Sequence, residues 1–72
     1  MNGYGVTQNY QQALKWETSA AQKGDAAGQF NLGLLYLHGQ GTKADKQEAL
    51  KWLQLSAGQG FESAKTLLTE LQ

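Results

Sequence analysis

The chain has 72 residues, with six Lys and Arg side chains balanced by six Asp and Glu side chains, and it contains no Cys. This length predicts one small domain, and the zero net charge offers no basic surface of the kind that binds nucleic acid or an anionic membrane. The absence of Cys excludes disulfide frameworks, thiolate nucleophiles and Cys-bearing zinc sites.

Targeting signals and membrane spans are not expected from the sequence. No stretch approaches the roughly 20 apolar residues of a membrane span. Met1 is not followed by the basic segment and apolar run of a signal peptide. The residues therefore predict a soluble protein that is cytoplasmic by default and has neither nucleic acid nor a membrane as a partner.

The residue composition favours helices. Strands prefer β-branched side chains, yet the chain has no Ile and a single Val, at position 6. Ala, Leu, Gln, Lys and Glu predominate, and there is no Pro to interrupt a helix. The predicted fold class is all-α.

Two helix starts are indicated by pairs of polar residues three positions apart. Asn9 with Gln12, and Asp45 with Glu48, have the N-cap and N3 spacing at which side chains satisfy the free amides of a first helical turn. The first and third predicted helices therefore begin at these pairs.

Glycines mark the predicted helix ends. Gly24 and Gly60 suit the left-handed residue just past a helix, and Asp25 can cap the helix that follows the first of them. The stretch 39–41, Gly-Gln-Gly, predicts a longer turn, and 3–5, Gly-Tyr-Gly, is its counterpart ahead of the first helix. Within a single domain of residues 1–72, the predicted helices are 9–23, 25–38, 45–58 and 61–71.

The second predicted helix has apolar residues on two opposite faces. At 100° per residue these residues fall into two stripes, so neighbours should cover the helix on both sides. The third helix has one apolar side, and alternation of two-sided with one-sided helices is typical of a solenoid of helix pairs. The two stripes of the second helix are Gly28, Leu32, Leu35 and Tyr36, and Phe30, Leu34 and Leu37.

The sequence repeats itself with a period of 36 residues. Matching Ala-Leu-Lys-Trp segments one period apart place the two tryptophans in register, which indicates two copies of one unit. The residue pairs that the shift superposes are Gly3 and Gly39, Gly5 and Gly41, Ala13 and Ala49, Leu14 and Leu50, Lys15 and Lys51, Trp16 and Trp52, Ala21 and Ala57, Gly24 and Gly60, and Leu32 and Leu68.

These motifs resemble the Sel-one-like repeat (SLR) family, a relative of the tetratricopeptide repeat. The resemblance rests on Gly-x-Gly-x-x-x-Asp-x-x-x-Ala-x-x-Trp-x-x-x-x-Ala at 39–57, Gly-Asp-Ala at 24–26 and Gln-Phe-Asn-Leu-Gly-Leu-Leu-Tyr at 29–36. It implies a right-handed α/α superhelix, a solenoid of about four antiparallel helices from two 36-residue repeats that start mid-repeat. It also implies an adaptor for protein complexes without catalysis.

Several positions depart from the family pattern. A chain that starts mid-repeat is expected to be a fragment of a longer repeat protein or a short relative. Glu17 occupies the place of Leu53, an apolar position in the family, which suits a terminal helix without an outer neighbour. The last helix is predicted to act as a closing cap, because it carries Thr66, Thr69 and Gln72 in place of Phe30, Gly33 and Tyr36.

The residues that carry the repeat pattern are predicted to form the structural core. The tryptophans are candidates for binding aromatics, but their equal register in two Ala-spaced helices favours a position between helices. The predicted core consists of Ala13, Trp16, Leu32, Gly33, Tyr36, Ala49, Trp52 and Ala57.

No catalytic, cofactor or metal site is predicted. Residues 39–44 fit the dinucleotide pattern Gly-x-Gly-x-x-Ala, but that pattern requires a preceding strand in a parallel sheet, whereas residues 32–37 have a helical period. His38 is the only histidine and lacks both a nucleophile and further metal ligands. The protein is therefore expected not to be an enzyme and to need no cofactor.

The sequence favours a protein-binding module that uses the inner face of the superhelix. Ala27, Asn31 and His38 form a lane between the two apolar stripes of the second helix and are the candidate residues for contact with a protein or peptide partner. The alternative is a structural or self-assembling repeat fragment, which forms a homodimer by covering the apolar surface left by a missing helix.

Overall fold

The computed structural model of the protein describes residues 9–71. Over this range the chain forms four α-helices and no β-strand, which confirms the predicted all-α fold class. The helices are α1 (Tyr10–Gln22), α2 (Ala26–His38), α3 (Lys46–Gly58) and α4 (Glu62–Leu71).

The helix bounds agree with the sequence to within one residue at each end. The predicted Gly-Tyr-Gly turn at 3–5 lies outside the described residues, and so does Gln72. Among residues 9–71, none of the helices is long and apolar enough to cross a membrane.

Side-chain caps begin the first three helices, as their sequences predict. Each cap residue accepts a hydrogen bond from a backbone N–H of the first turn, which satisfies a group that has no partner within the helix. The bonds run to Asn9 from Gln12 (3.0 Å), to Asp25 from Ala27 (3.2 Å) and to Asp45 from Glu48 (3.1 Å).

The cap of α3 differs in one respect from a complete capping box. In that motif the Glu side chain would accept from the N–H of Asp45. Here the N–H of Asp45 donates to the carbonyl oxygen of Tyr36 (2.8 Å), while Oε1 of Glu48 accepts from Nε1 of Trp52 (3.2 Å). The start of α3 is therefore tied to the end of α2.

Left-handed glycines follow α1 and α3 at the predicted positions. Gly24 has a φ of +91° and Gly60 a φ of +87°, values that a residue with a Cβ rarely adopts. Each glycine turns the chain so that the next helix begins two residues later.

Helices α2 and α3 run antiparallel and pack closely. Oγ of Ser56, near the end of α3, donates to the carbonyl oxygen of Ala26, at the start of α2, over 2.8 Å. At the middle of the pair, a Cβ added to Gly33 would lie 2.8 Å from Cγ of Leu53, which is fully buried. The glycine therefore allows α3 to approach the backbone of α2.

Helix α2 also packs against α1, through a second glycine. A Cβ at Gly28 would lie 2.7 Å from Cβ of Ala20. The buried Gln29 then reaches across, and its Nε2 donates to the carbonyl oxygen of Ala21 (3.2 Å). Helix α2 thus packs against both α1 and α3, but only the first of its two predicted apolar stripes is largely buried.

A polar bridge joins the two short turns on one end of the structure. Nε2 of Gln59 donates to the carbonyl oxygen of Gly24 (2.8 Å) and to Oε1 of Gln29 (3.0 Å). Because Gln59 follows α3 and Gly24 follows α1, this side chain links the α1–α2 turn to the α3–α4 turn.

The predicted core residues differ in their burial. Leu32 and Ala49 are fully buried, and Gly33 is buried beside them. The other buried apolar side chains among residues 9–71 are Ala21, Leu35, Leu53 and Ala64. Partly buried positions are occupied by Ala13, Tyr36, Trp52 and Ala57.

Trp16 lies outside the core that the sequence predicts for it. Its side chain is 68% exposed, whereas its counterpart one period later, Trp52, is partly buried. The physical reason is the number of neighbouring helices. Helix α3 has α2 on one side and α4 on the other, but α1 packs only on α2 among the described helices.

We predict that the close contact between Gly33 and Leu53 reverses the effect of adding a methyl group. Gly33→Ala should lower the stability of the parent protein by up to about 2 kcal/mol, because overpacking a filled core outweighs the gain in helix propensity. In a Leu53→Ala background the cost of the same change should largely disappear, because the methyl then meets only the carbonyl oxygen of Ala49, at 3.3 Å. Urea unfolding followed by circular dichroism measures both effects.

Gly58 provides the matched control for this prediction. It is also helical, but a Cβ there would meet nothing within 4 Å. Gly58→Ala should therefore stabilise the protein by about 0.5–1 kcal/mol. An equal gain from Gly33→Ala in the parent protein would contradict the close approach of Leu53.

We predict that the two tryptophans contribute unequally to stability. Trp52→Ala should cost about 2–4 kcal/mol, because it removes a partly buried indole and its hydrogen bond to Glu48. Trp16→Ala should cost less than about 1 kcal/mol, as is usual for an exposed side chain. Thermal melts of the two variants measure both losses of stability. Equal losses would contradict the exposed position of Trp16.

Candidate functional site

An open groove lies between α2 and α4, which are the equivalent helices of successive repeats. Its volume is about 380 Å³, and it is bounded by side chains from both helices rather than by one. We refer to it as the α2–α4 groove. It is lined by Phe30 and Leu34 from α2 and by Glu62, Ser63, Thr66, Leu67 and Glu70 from α4.

A larger concavity, of about 680 Å³, lies on another part of the surface. Among the described residues it is lined by α1 and its cap alone, from Asn9 to Gln22. The α2–α4 groove, in contrast, has described residues on both of its walls. The α2–α4 groove is therefore the better candidate for a binding site.

An aromatic contact positions α4 beside α2. The rings of Phe30 and Phe61 have centroids 5.3 Å apart and are tilted by 40°, a favourable arrangement for two aromatic rings. The N–H of Phe61 also donates to the carbonyl oxygen of Ser56 (3.3 Å). Phe61 thus anchors the start of α4 to both α2 and α3.

The floor of the groove is apolar and only partly covered. Phe30 and Leu34 belong to the second apolar stripe of α2, which the sequence predicts to be buried by a neighbouring helix. Both are partly buried instead, and Leu67 of α4 is equally half-covered. The contact with α3 runs through Gly33, so this stripe remains open to solvent along the groove.

The groove stays open because α4 carries a small residue at its centre. One period after Phe30 the chain has Thr66, which is exposed and lines the groove. A phenyl ring there would occupy the space between the two helices. This departure from the repeat pattern, which predicts a closing cap, therefore also creates the groove.

Two carboxylates stand at the rim of the groove. Glu62 and Glu70 are exposed, and Glu62 lies 3.6 Å from Nζ of Lys65 on the outer side of the same helix. The Glu62 side chain is 84% exposed, so this pair is solvated and contributes little to stability. Both carboxylates remain accessible to a ligand.

The three residues that the sequence predicts for partner contact are all exposed on α2. They share the side of the helix on which Leu34 lies, because helical residues three, four or seven positions apart are neighbours on one side. Ala27 is seven positions from Leu34, Asn31 is three and His38 is four. They adjoin the α2–α4 groove but do not line it.

The repeat explains which residues the sequence analysis missed. A shift of 36 positions carries Ala27 to Ser63 and Asn31 to Leu67, and both of these line the groove. The counterpart of the predicted lane on α4 therefore lines the groove. Applying the repeat period to the candidate lane would have identified these two residues.

Two features of the described residues bear on metal and dinucleotide binding. Residues 9–71 hold no group of three or more His, Cys, Asp or Glu side chains that would bind a metal ion. The Gly-x-Gly-x-x-Ala stretch follows helix α2, not a strand, which rules out the dinucleotide fingerprint.

Comparison with known families identifies the repeat. The Sel1 repeat profile matches residues 1–25 and 26–61. The chain belongs to the Sel1 repeat family. The second match spans 36 residues and holds α2 and α3, which is the unit length predicted from the sequence, and the first match holds α1.

Several curated Sel1-like relatives match most of the chain. It is 40% identical over 65 residues to chitin synthase regulatory factor 3 of Schizosaccharomyces pombe, covering 90% of the chain and 7% of that protein. It is 42% identical over 69 residues to the uncharacterized protein NMB1327 of Neisseria meningitidis, covering 94% of the chain and 15% of that protein. It is 44% identical over 50 residues to the ERAD-associated E3 ubiquitin-protein ligase component HRD3B of Arabidopsis thaliana, covering 68% of the chain and 8% of that protein.

The Sel1 chain spans 15% or less of the length of these three relatives. No solved structure gives a significant match. Sel1 repeat proteins are typically adaptors that bind other proteins, and the repeat is generally not catalytic.

Proposed function

We propose that this Sel1 chain is a non-catalytic protein-binding module that holds a segment of a partner protein in the α2–α4 groove. The observation that carries the proposal is an apolar strip that two equivalent repeat helices leave open between them. Phe30, Leu34 and Leu67 are only partly buried in this strip, and polar residues stand at its rim.

The dimensions of the groove favour a short segment over a large folded surface. The groove is lined by seven residues, whereas a standard protein interface involves about 20–30 residues on each side. A few side chains of a peptide segment fill such a space. Affinity for an isolated segment is therefore expected to be modest, with a Kd of roughly micromolar or weaker.

The lane of Ala27, Asn31 and His38 extends this surface along α2. Its residues are exposed next to Leu34, so a segment longer than the groove would continue onto them. We assign them a contact role at the edge of the site. The anchoring contacts are assigned to Phe30 and Leu67, because they supply the apolar area.

The test is a peptide-display selection on the chain, followed by affinity measurement on two variants. Thr66→Phe should weaken selected peptides at least tenfold, because the ring fills the groove without changing charge. Gln54→Phe is the matched control, since Gln54 is an exposed residue of α3 outside the groove, and it should leave affinity unchanged. Selected peptides that bind both variants equally would refute the groove as the site.

A second candidate function, self-assembly, is supported by the exposed indole of Trp16, which is 68% exposed. In a homodimer a second copy would cover this face of α1. Sedimentation equilibrium over a concentration series should then give a mass above that of the monomer, and Trp16→Ser should return it to the monomer mass. A parent protein that stays monomeric to millimolar concentration would exclude this candidate.

A further inference from the structure

The charge at the rim of the α2–α4 groove is of one sign. Glu62 and Glu70 line it, and none of the lining residues among positions 9–71 is basic. Lys65 pairs with Glu62 from outside the groove over 3.6 Å. A partner segment that enters the groove therefore meets two carboxylates that it can neutralise.

The spacing of these carboxylates defines the partner more closely. Glu62 and Glu70 are eight residues apart on α4, with Thr66 midway, so the three lie along one side of the helix. At 1.5 Å per residue the carboxylates are about 12 Å apart along the helix axis. Leu67, which lies between them on α4, belongs to the apolar floor.

We propose, on the basis of the function proposed above, that the groove binds an extended partner segment in which a large apolar residue has a basic residue two positions before it and another two positions after it. In an extended chain, side chains at alternate positions point the same way. The two basic residues are then four positions apart, about 13 Å at 3.3 Å per residue. This matches the separation of Glu62 and Glu70, and the apolar side chain falls over the floor.

An extended segment fits the space better than a helix does. A helix bound in a groove anchors several apolar side chains, at positions such as i, i+3, i+4 and i+7. The apolar floor of this groove is supplied by three side chains, Phe30, Leu34 and Leu67, which suits one anchored side chain of an extended segment.

A second copy of this chain is not the proposed occupant. The chain contains no pair of basic residues four positions apart, because its six Lys residues stand at 15, 23, 43, 46, 51 and 65. The partner is therefore a different polypeptide that contains the basic, apolar, basic pattern.

The experiment is an NMR titration of the ¹⁵N-labelled chain with two synthetic peptides. The probe is acetyl-Gly-Lys-Ala-Phe-Ala-Lys-Gly-amide, and its control has Gln in place of both Lys residues. The probe should shift the amide signals of Phe30, Leu34, Ser63 and Leu67 to saturation. At low salt it should bind about threefold to tenfold more tightly than the Gln control, the range expected for two exposed ion pairs.

A double variant of the protein tests whether the two carboxylates cause the preference for the Lys probe. With Glu62→Gln and Glu70→Gln together, the two peptides should bind equally, and the advantage of the Lys probe should disappear. Glu17→Gln on α1 is the matched control, and it should retain the full preference. Circular dichroism confirms that each variant keeps its helices, and the comparison of the two peptides on the parent protein does not depend on any variant.

Several outcomes would overturn the proposal. If both peptides bound equally in the groove of the parent protein, the proposed function would stand, but the requirement for basic residues in the partner would be refuted. Signal shifts outside the groove, or no binding of the Lys probe, would also refute this requirement. The display selection decides separately whether the groove binds peptides. Tighter binding of a helix-forming peptide with Lys residues eight positions apart would assign a helical partner instead.

Discussion

The close approach of α3 to α2 at Gly33 is the contact on which the rest of the structure depends. Because Gly33 has no Cβ, the fully buried Leu53 lies directly over the backbone of α2. Dispersion attraction falls steeply with a gap of less than 1 Å, so this distance sets how well the whole helix pair packs. The same proximity lets Ser56 bond to Ala26 at one end and Asp45 to Tyr36 at the other.

The next helix is attached in a different way, and the difference produces the groove. Thr69 stands one period after Gly33, where it is exposed, and its hydroxyl donates to the carbonyl oxygen of Lys65 within α4. Phe61 and the buried Ala64 fasten α4 near its start. The smaller Thr66 then leaves the side facing α2 open. The repeat thus supplies a common scaffold, and substitutions within it create the site.

This division between scaffold and site agrees with what the family does. Sel1 repeats are generally non-catalytic modules that bind proteins, so their specificity has to lie in a few surface side chains. In this chain the residues shared between repeats include Leu32 and its counterpart Leu68, which are buried and partly buried. The residues that line the groove differ between α2 and α4, with Phe30 opposite Thr66 and Leu34 opposite Glu70 in the repeat register. Side chains that vary in this way can distinguish one partner from another.

The sequence by itself determined the helix class, the 36-residue period, the family and the helix bounds to within one residue. Caps, left-handed glycines and helical periodicity act over a few neighbouring residues, so they can be recognised without the fold. Only the tertiary structure decided that Trp16 is exposed, that Phe30 and Leu34 stay half-covered, and that the groove is completed by α4. An apolar stripe in the sequence predicts that a helix face is buried. Which neighbouring helix buries it, and how fully, depends on the distance at which helices remote in sequence pack.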